Sequence, residues 1–170
     1  RDVEIALNGI GWQGRAITLA GRTDTGVHAS GQVIPLDLNC HHSPKELLRA
    51  INAKLPNSIT VTDIEVTRPD FHPRFDALSR EYSYRVYCQP IRNPFRDRFS
   101  ARIWPDLDPL GLRNSASLIT GSHDFAAFGT PPRKEQSTIR EVFIADWSKK
   151  GDEWLFIIKA NAFLYHMVRR

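Results

Sequence analysis

The sequence predicts an α+β fold, a mixed and mainly antiparallel sheet flanked by helices, and three observations predict it. Helix starts are written in capping chemistry at Ser43-Pro44-Lys45-Glu46 and at Asp108-Pro109, where a serine or aspartate cap precedes a proline. Residues 139–147 and 154–160 are strand-like runs joined through Lys149-Lys150-Gly151-Asp152, the pattern of a hairpin. No Gly-x-Gly-x-x-Gly loop and no Walker sequence is present, so no nucleotide cofactor is indicated.

Taken in order, Val3, Ala6, Leu7 and Ile10 fall at helical spacing, and Gly11 and Gly14 mark a turn. Residues 15–20 read as a strand, and 31–38 as a second one in which Pro35 suggests an edge or a bulge. The helix opened by Ser43 buries Leu47, Leu48, Ile51 and Leu55 and ends at Leu55-Pro56-Asn57. Residues 58–66 are rich in β-branched side chains and mostly alternate, as a half-buried strand does. The Asp108 helix runs to about Thr120, stopped by Gly121, with Leu112, Ala116 and Ile119 inward. Asn161 is placed to cap a last helix carrying Phe163, Leu164, Met167 and Val168. The sequence opens inside one helical pattern and stops inside another, so an excerpt of a longer protein is expected, with an N-terminal half at 1–67 and a C-terminal half at 68–170.

A chain of 170 residues with 41% hydrophobic content can bury one substantial core or two small ones. Its net charge is +4, and the surplus is carried by 17 arginines against 6 lysines. Guanidinium forks grip phosphate at two points and stack on bases, so the bias favours a polyanion partner. Two cysteines, Cys40 and Cys88, are too few for a disulfide framework and lack the spacing of a zinc site. Cys40-His41-His42 is read as a loop, because adjacent ligands do not all face one ion and no second cluster completes a tetrahedral set. No apolar run is long enough to cross a bilayer, and the N-terminus lacks the order of a signal peptide. The expectation is a soluble, cytoplasmic protein without metal or membrane partner.

Two stretches carry candidate chemistry. Ala20-Gly21-Arg22-Thr23-Asp24-Thr25-Gly26-Val27-His28-Ala29 places one carboxylate between two glycines and two residues from an arginine. The spacing suits an Asx turn, and it equally suits a loop on which a flat ligand approaches the backbone. Between Arg68 and Arg102, eight arginines meet four acids and seven Phe or Tyr residues. Within it, residues 80–87 alternate, putting Tyr82, Tyr84 and Val86 on one face and Arg85 and Tyr87 on the other. That face is either part of an ordinary core or a platform for an unstacked base. His123-Asp124 is not read as part of a hydrolytic triad: neighbours in sequence rarely point at each other, and no serine elbow is present.

Five ordered motifs then resemble the TruA family of pseudouridine synthases, which modify the anticodon stem-loop of transfer RNA. They are residues 21–29, Phe71-His72-Pro73-Arg74-Phe75-Asp76-Ala77, Arg80-Glu81-Tyr82-Ser83-Tyr84, His123-Asp124-Phe125, and 161–169. The resemblance implies the pseudouridine synthase fold of two related α+β halves, a homodimer, a basic cleft for tRNA, and neither cofactor nor metal. It makes Asp24 the catalytic aspartate, Arg22 the arginine that helps extrude the target nucleotide, Tyr82 the tyrosine packing on the target base, and Arg169 the carboxylate's ionic partner. His28 and Phe125, inside matched motifs, are expected at the substrate. Two family features are missing: the first strand with its own Gly-Trp-Gln motif, since Gly11-Trp12-Gln13 follows the opening helix, and the continuation beyond Arg169.

The implied reaction breaks the N1–C1′ bond of uridine, rotates the base and joins C5 to C1′. Nothing is hydrolysed or oxidised, so one carboxylate suffices, as nucleophile or as proton acceptor beside the sugar. Burial under a flipped base favours the neutral acid and a nearby guanidinium favours the anion. Two rivals share the residues: an RNA-binding module in which Asp24 is structural, and a glycosidase pairing Asp24 with Asp76 or Asp124.

Overall fold

A computed structural model describes residues 1–14, 16–38, 41–131 and 135–169. Cys40 of the Cys40-His41-His42 run, Arg15 at the start of the first expected strand, and Pro132, Arg133 and Lys134 lie outside the described residues. The chain divides into two compact units, Arg1–Ala77 and Leu78–Arg170.

Among its described residues the first unit contains two helices. α1 (Asp2–Asn8) buries Ala6 and Leu7, and its first-turn acids Asp2 and Glu4 suit the positive end of a helix dipole. α2 (Pro44–Asn52) starts as its sequence predicts: the Ser43 hydroxyl accepts from the Glu46 N–H while the Glu46 carboxylate accepts from the Ser43 N–H at 2.8 Å. The Ser43 N–H, and then the Ser43 hydroxyl, donate to the Glu46 carboxylate and hold it below its ordinary range. Leu7, Trp12 and Ile51 form the buried centre, with Ile17, Leu36, Leu47, Leu55 and Val61 packed around it.

The three strands expected here do not form among the described residues of 16–20, 31–38 and 58–66. Their backbone groups are met differently. One backbone bond, from the Ala20 N–H to the Val33 carbonyl at 3.1 Å, joins the first two segments. Pro35, lacking an N–H, cannot extend that pairing through its own nitrogen. In the third segment both polar groups of Val61 are taken by the Asn52 side chain at 2.8 Å, in place of a strand partner. β-branched composition supplies the propensity, but a strand needs a neighbour to pair with.

The second unit is built on a five-stranded sheet in the order β2-β1-β5-β4-β3. β1 spans Arg80–Cys88, β2 Ala101–Ile103, β3 Gly121–Asp124, β4 Ile139–Lys150 and β5 Glu153–Ala160. The β1–β2 pair is parallel and every other pair antiparallel, in agreement with the mixed, mainly antiparallel α+β expectation. The β4–β5 hairpin turns where predicted, with Gly151 at φ 63°. α3 (Pro109–Ile119) is capped by Asp108, whose carboxylate accepts from the Leu110 and Gly111 N–H groups. Its Leu112 packs on the cluster of Val86, Cys88 and Trp154, and its Ile119 on the cluster of Phe125, Val142, Ile158, Ala160, Leu164 and Met167.

The expected last helix is also absent among the described residues. Tyr165 exchanges backbone hydrogen bonds with Thr130, at 2.9 and 3.4 Å, so its polar groups are diverted from a helical ladder. His166 then adopts φ 66°, a left-handed angle that interrupts any α-helix at that point. Asn161 does cap, but locally: its side-chain oxygen accepts from the N–H groups of Ala162 and Glu141.

Candidate active site

The expected site residues divide between the units: Arg22, Asp24 and His28 belong to the first, Tyr82, Phe125 and Arg169 to the second. In the first unit, the Val27 N–H bonds the Asp24 carbonyl at 3.1 Å, closing a turn with Gly26 at its third position and φ 84°. Such a turn needs a positive φ there, which explains the glycine. Its closing bond uses the Asp24 carbonyl, a bond any residue can make, so the turn alone does not account for an aspartate. Asp24 is half-buried, while Arg22 and His28 are exposed.

The base of this loop is fastened twice. Besides the Ala20–Val33 bond, the Gln32 side-chain amide donates to the Gly21 carbonyl at 2.7 Å and accepts from the Gly21 N–H at 3.4 Å. Sequence reasoning does not single out Gln32; its only signal is a long amide at the head of an apolar run.

In the second unit Tyr82 lies on β1 opposite Ile158 of β5. Its ring meets Phe163 edge-on, with centroids 4.9 Å apart and planes at 88°. Tyr82 is half-buried against the core cluster of which Phe125, 3% exposed, is a fully enclosed member. Phe125 therefore supports this region from within. Arg169 is exposed, at the end of a segment anchored by buried Leu164 and Met167 and by the Thr130–Tyr165 bridge. Gly129 permits that docking, since a Cβ there would stand 2.6 Å from the Tyr165 carbonyl oxygen and 2.8 Å from the Leu164 Cβ.

The remaining candidates have structural partners. Asp76 accepts from the His72 N–H at 2.8 Å and pairs with Arg68 at 2.7 Å, which hold its carboxyl below the ordinary range. The 71–77 motif is thus a self-bonded turn, in which the His72 ring nitrogen Nδ1 also accepts from the Arg74 and Phe75 N–H groups. Asp124 is lowered by the Thr138 hydroxyl and by the Ala126 N–H at 3.0 Å, and it lines a shallow cleft with Thr130, Gln136 and Ser137. His123 bonds the Thr120 carbonyl through Nε2. A glycosidase acid needs a raised pKa, and neither rival carboxylate has one. Several cations of the arginine-rich stretch are committed as well: Arg92 pairs with Asp97, Arg96 with Asp152 and Glu153, and Arg102 donates to the carbonyls of Gln89 and Pro90.

Among the described residues no group of three His, Cys, Asp or Glu side chains gathers as for a metal, and no helix is long and apolar enough to cross a membrane. A family model described as tRNA pseudouridine synthase matches residues 116–170. The chain is 37% identical to the tRNA pseudouridine synthase A of Chloroflexus aurantiacus over 174 residues, covering 98% of this chain and 62% of that protein. It is 36% identical to that of Shouchella clausii over 99% of this chain and 65% of the relative, and 35% identical to that of Neisseria meningitidis over 98% and 63%. The chain thus spans less than two thirds of the length of these relatives. Over the part it shares with them, the chain is similar in sequence to the tRNA pseudouridine synthases.

Proposed function

We propose that the protein isomerises uridine to pseudouridine in the anticodon stem-loop of transfer RNA, with Asp24 as the catalytic carboxylate. The observation that carries this reading is the run of 35–37% identity to proteins named tRNA pseudouridine synthase A across 98% or more of the chain. The glycine-framed turn supports it, because it offers one half-buried acid among exposed Arg22 and His28. The reaction moves C1′ of the ribose from N1 to C5 of the same base. The C5 hydrogen leaves to solvent and N1 takes a proton, so atoms balance without an oxidant or a hydrolytic water. Attack at C1′, attack at C6 and proton removal from the sugar all require the anion of Asp24, and all three routes are open to a lone carboxylate.

In this reading Arg22, His28, Tyr82 and Arg169 bind substrate. The half-buried Tyr82 ring offers a flat surface to the extruded base, stacking being worth about 1–3 kcal/mol per base, with Phe163 and Phe125 behind it. A homodimer acting in the cytoplasm completes the proposal. The test is tritium release from tRNA labelled at uridine C5, comparing the full-length protein with its Asp24→Ala variant. Release lost in the variant, with tRNA affinity retained, is expected; equal release from both sinks the assignment. Tyr82→Phe should keep most affinity because the ring remains, whereas a loss as deep as that of Tyr82→Ala would show that the hydroxyl is needed.

A further inference from the structure

We infer that Gln32 is the positioning residue of the Asp24 loop: its side-chain amide holds both backbone polar groups of Gly21 and so fixes where the loop departs. The inference rests on Asp24 being the catalytic carboxylate. The segments flanking the loop form no ladder, and the Ala20–Val33 bond is the backbone tie between them that precedes Gly21. A single bond of that kind is a hinge; it leaves rotation about the next residue open. The Gln32 amide removes that freedom, since donation from Nε2 at 2.7 Å and acceptance at Oε1 at 3.4 Å form a two-point contact on one peptide unit after another. Beyond it the chain reaches Asp24 in three residues and turns at Gly26. The donating bond is the shorter, so a side chain that accepts but cannot donate does not replace glutamine. Asparagine, one methylene shorter, does not span both groups.

The experiment compares the full-length protein with its Gln32→Ala, Gln32→Glu and Asp24→Asn variants. Amide exchange of residues 19–23, the single-turnover rate of C5 tritium release and the tRNA dissociation constant are read for each. In Gln32→Ala, loss of the clasp should speed exchange at Gly21 about tenfold, the equivalent of one ordinary hydrogen bond, whereas the Gln32→Glu carboxylate can still accept from that N–H and is read by its rate alone. Both Gln32 variants should then turn over about 10- to 100-fold more slowly, the cost of displacing a reacting group by an ångström, with tRNA affinity within about twofold of the parent. Unchanged exchange in Gln32→Ala overturns the clasp, and faster exchange there with an unchanged rate overturns the positioning role. A parallel fall in affinity and rate would mark Gln32 as an RNA contact and likewise overturn it. Asp24→Asn separates the failures: if it abolishes release while the Gln32 variants are unaffected, only the inference about Gln32 falls, and if it releases tritium normally, the function proposed for Asp24 falls.

Discussion

Leu78–Arg170 carries five paired strands, and several of its polar side chains reinforce that ladder. Arg96 bonds Asp152 and Glu153 at the hairpin end and lies over the Tyr87 ring, and Asp106 accepts from Lys149 and from Trp154 Nε1. Arg1–Ala77 has, among its described residues, two short helices and a core centred on Leu7, Trp12 and Ile51, and two of its loop segments are each held by one side-chain amide, Gln32 on Gly21 and Asn52 on Val61. The difference teaches where local opening begins. A ladder shares each strand's loss over many bonds, whereas an amide clasp fails when one side chain lets go. The unit carrying Asp24 is thus the one in which a single substitution can free a loop.

The sharpest test sets Ile158 against Ile51, both 3% exposed. Truncating a buried isoleucine costs about 2–5 kcal/mol, more where the surroundings cannot collapse into the gap. Ile158→Ala opens a hole between β1 and β4, so we expect about 4 kcal/mol; Ile51→Ala opens one beside loops, for about 2 kcal/mol. Native-state amide exchange at β5 and at α2 reads the two separately. Equal costs would break the comparison.

Gly129→Ala should come next. The added carbon cannot stay at 2.6 Å from a backbone oxygen, so the 163–169 segment must shift, at about 1–3 kcal/mol. In denaturation this appears as a modest loss, but turnover should fall further than stability because Arg169 ends that segment. An activity that tracks stability alone would remove Arg169 from the proposed site. Asn52→Ala follows: it strips two 2.8 Å bonds from half-buried Val61, for about 1–2 kcal/mol, and should speed exchange at residues 59–64 while leaving β4 and β5 unaltered.

The same contrast explains what the sequence made legible. Caps and hairpins are local chemistry, so the Ser43 box, the Asp108 cap and the Lys149–Asp152 turn are found where the residues place them. The strands expected at 16–20, 31–38 and 58–66 depend on partners elsewhere in the chain, and β-branched composition says nothing of whether those exist. The last segment misleads for a related reason: Phe163, Leu164, Met167 and Val168 have helical spacing, yet the pairing of Tyr165 with Thr130 and the left-handed His166 override it. Asp24, Arg22 and Tyr82 enter the proposed site through motif resemblance. Gln32 is not, because a clasp is a distance between two segments and leaves no pattern in either.

The smallest effects expected are those of acid, and their sign follows from the lowered carboxyls. In the second unit Asp97 is held down first by the Tyr87 hydroxyl, Asp106 by Lys149, Asp124 by Thr138 and Asp152 by Arg96; in the first unit Glu46 is held down by Ser43 and Asp76 by the His72 N–H. A carboxyl whose folded pKa is depressed contributes stability above its unfolded value and loses it as pH falls through the folded one. Stability should therefore be flat from neutrality to about pH 4, the ordinary carboxylate value, and decline below it. The second unit should decline more steeply, because Arg92, Arg96 and Lys149 all pair with its lowered carboxyls, whereas in the first unit Arg68 pairs with Asp76 and the other donors, from Ser43 and His72, are hydroxyl and backbone groups to which a neutral acid can still accept. Urea titrations at stepped pH, followed by exchange in β5 and α2, measure the two slopes. Asp106→Asn should flatten the decline at β5 without touching α2, since the amide oxygen still accepts from Trp154 but no longer pairs with the Lys149 charge. A decline that is equal at both places would mean that acid acts on the whole chain through net charge, and that the pairs around the hairpin contribute nothing of their own.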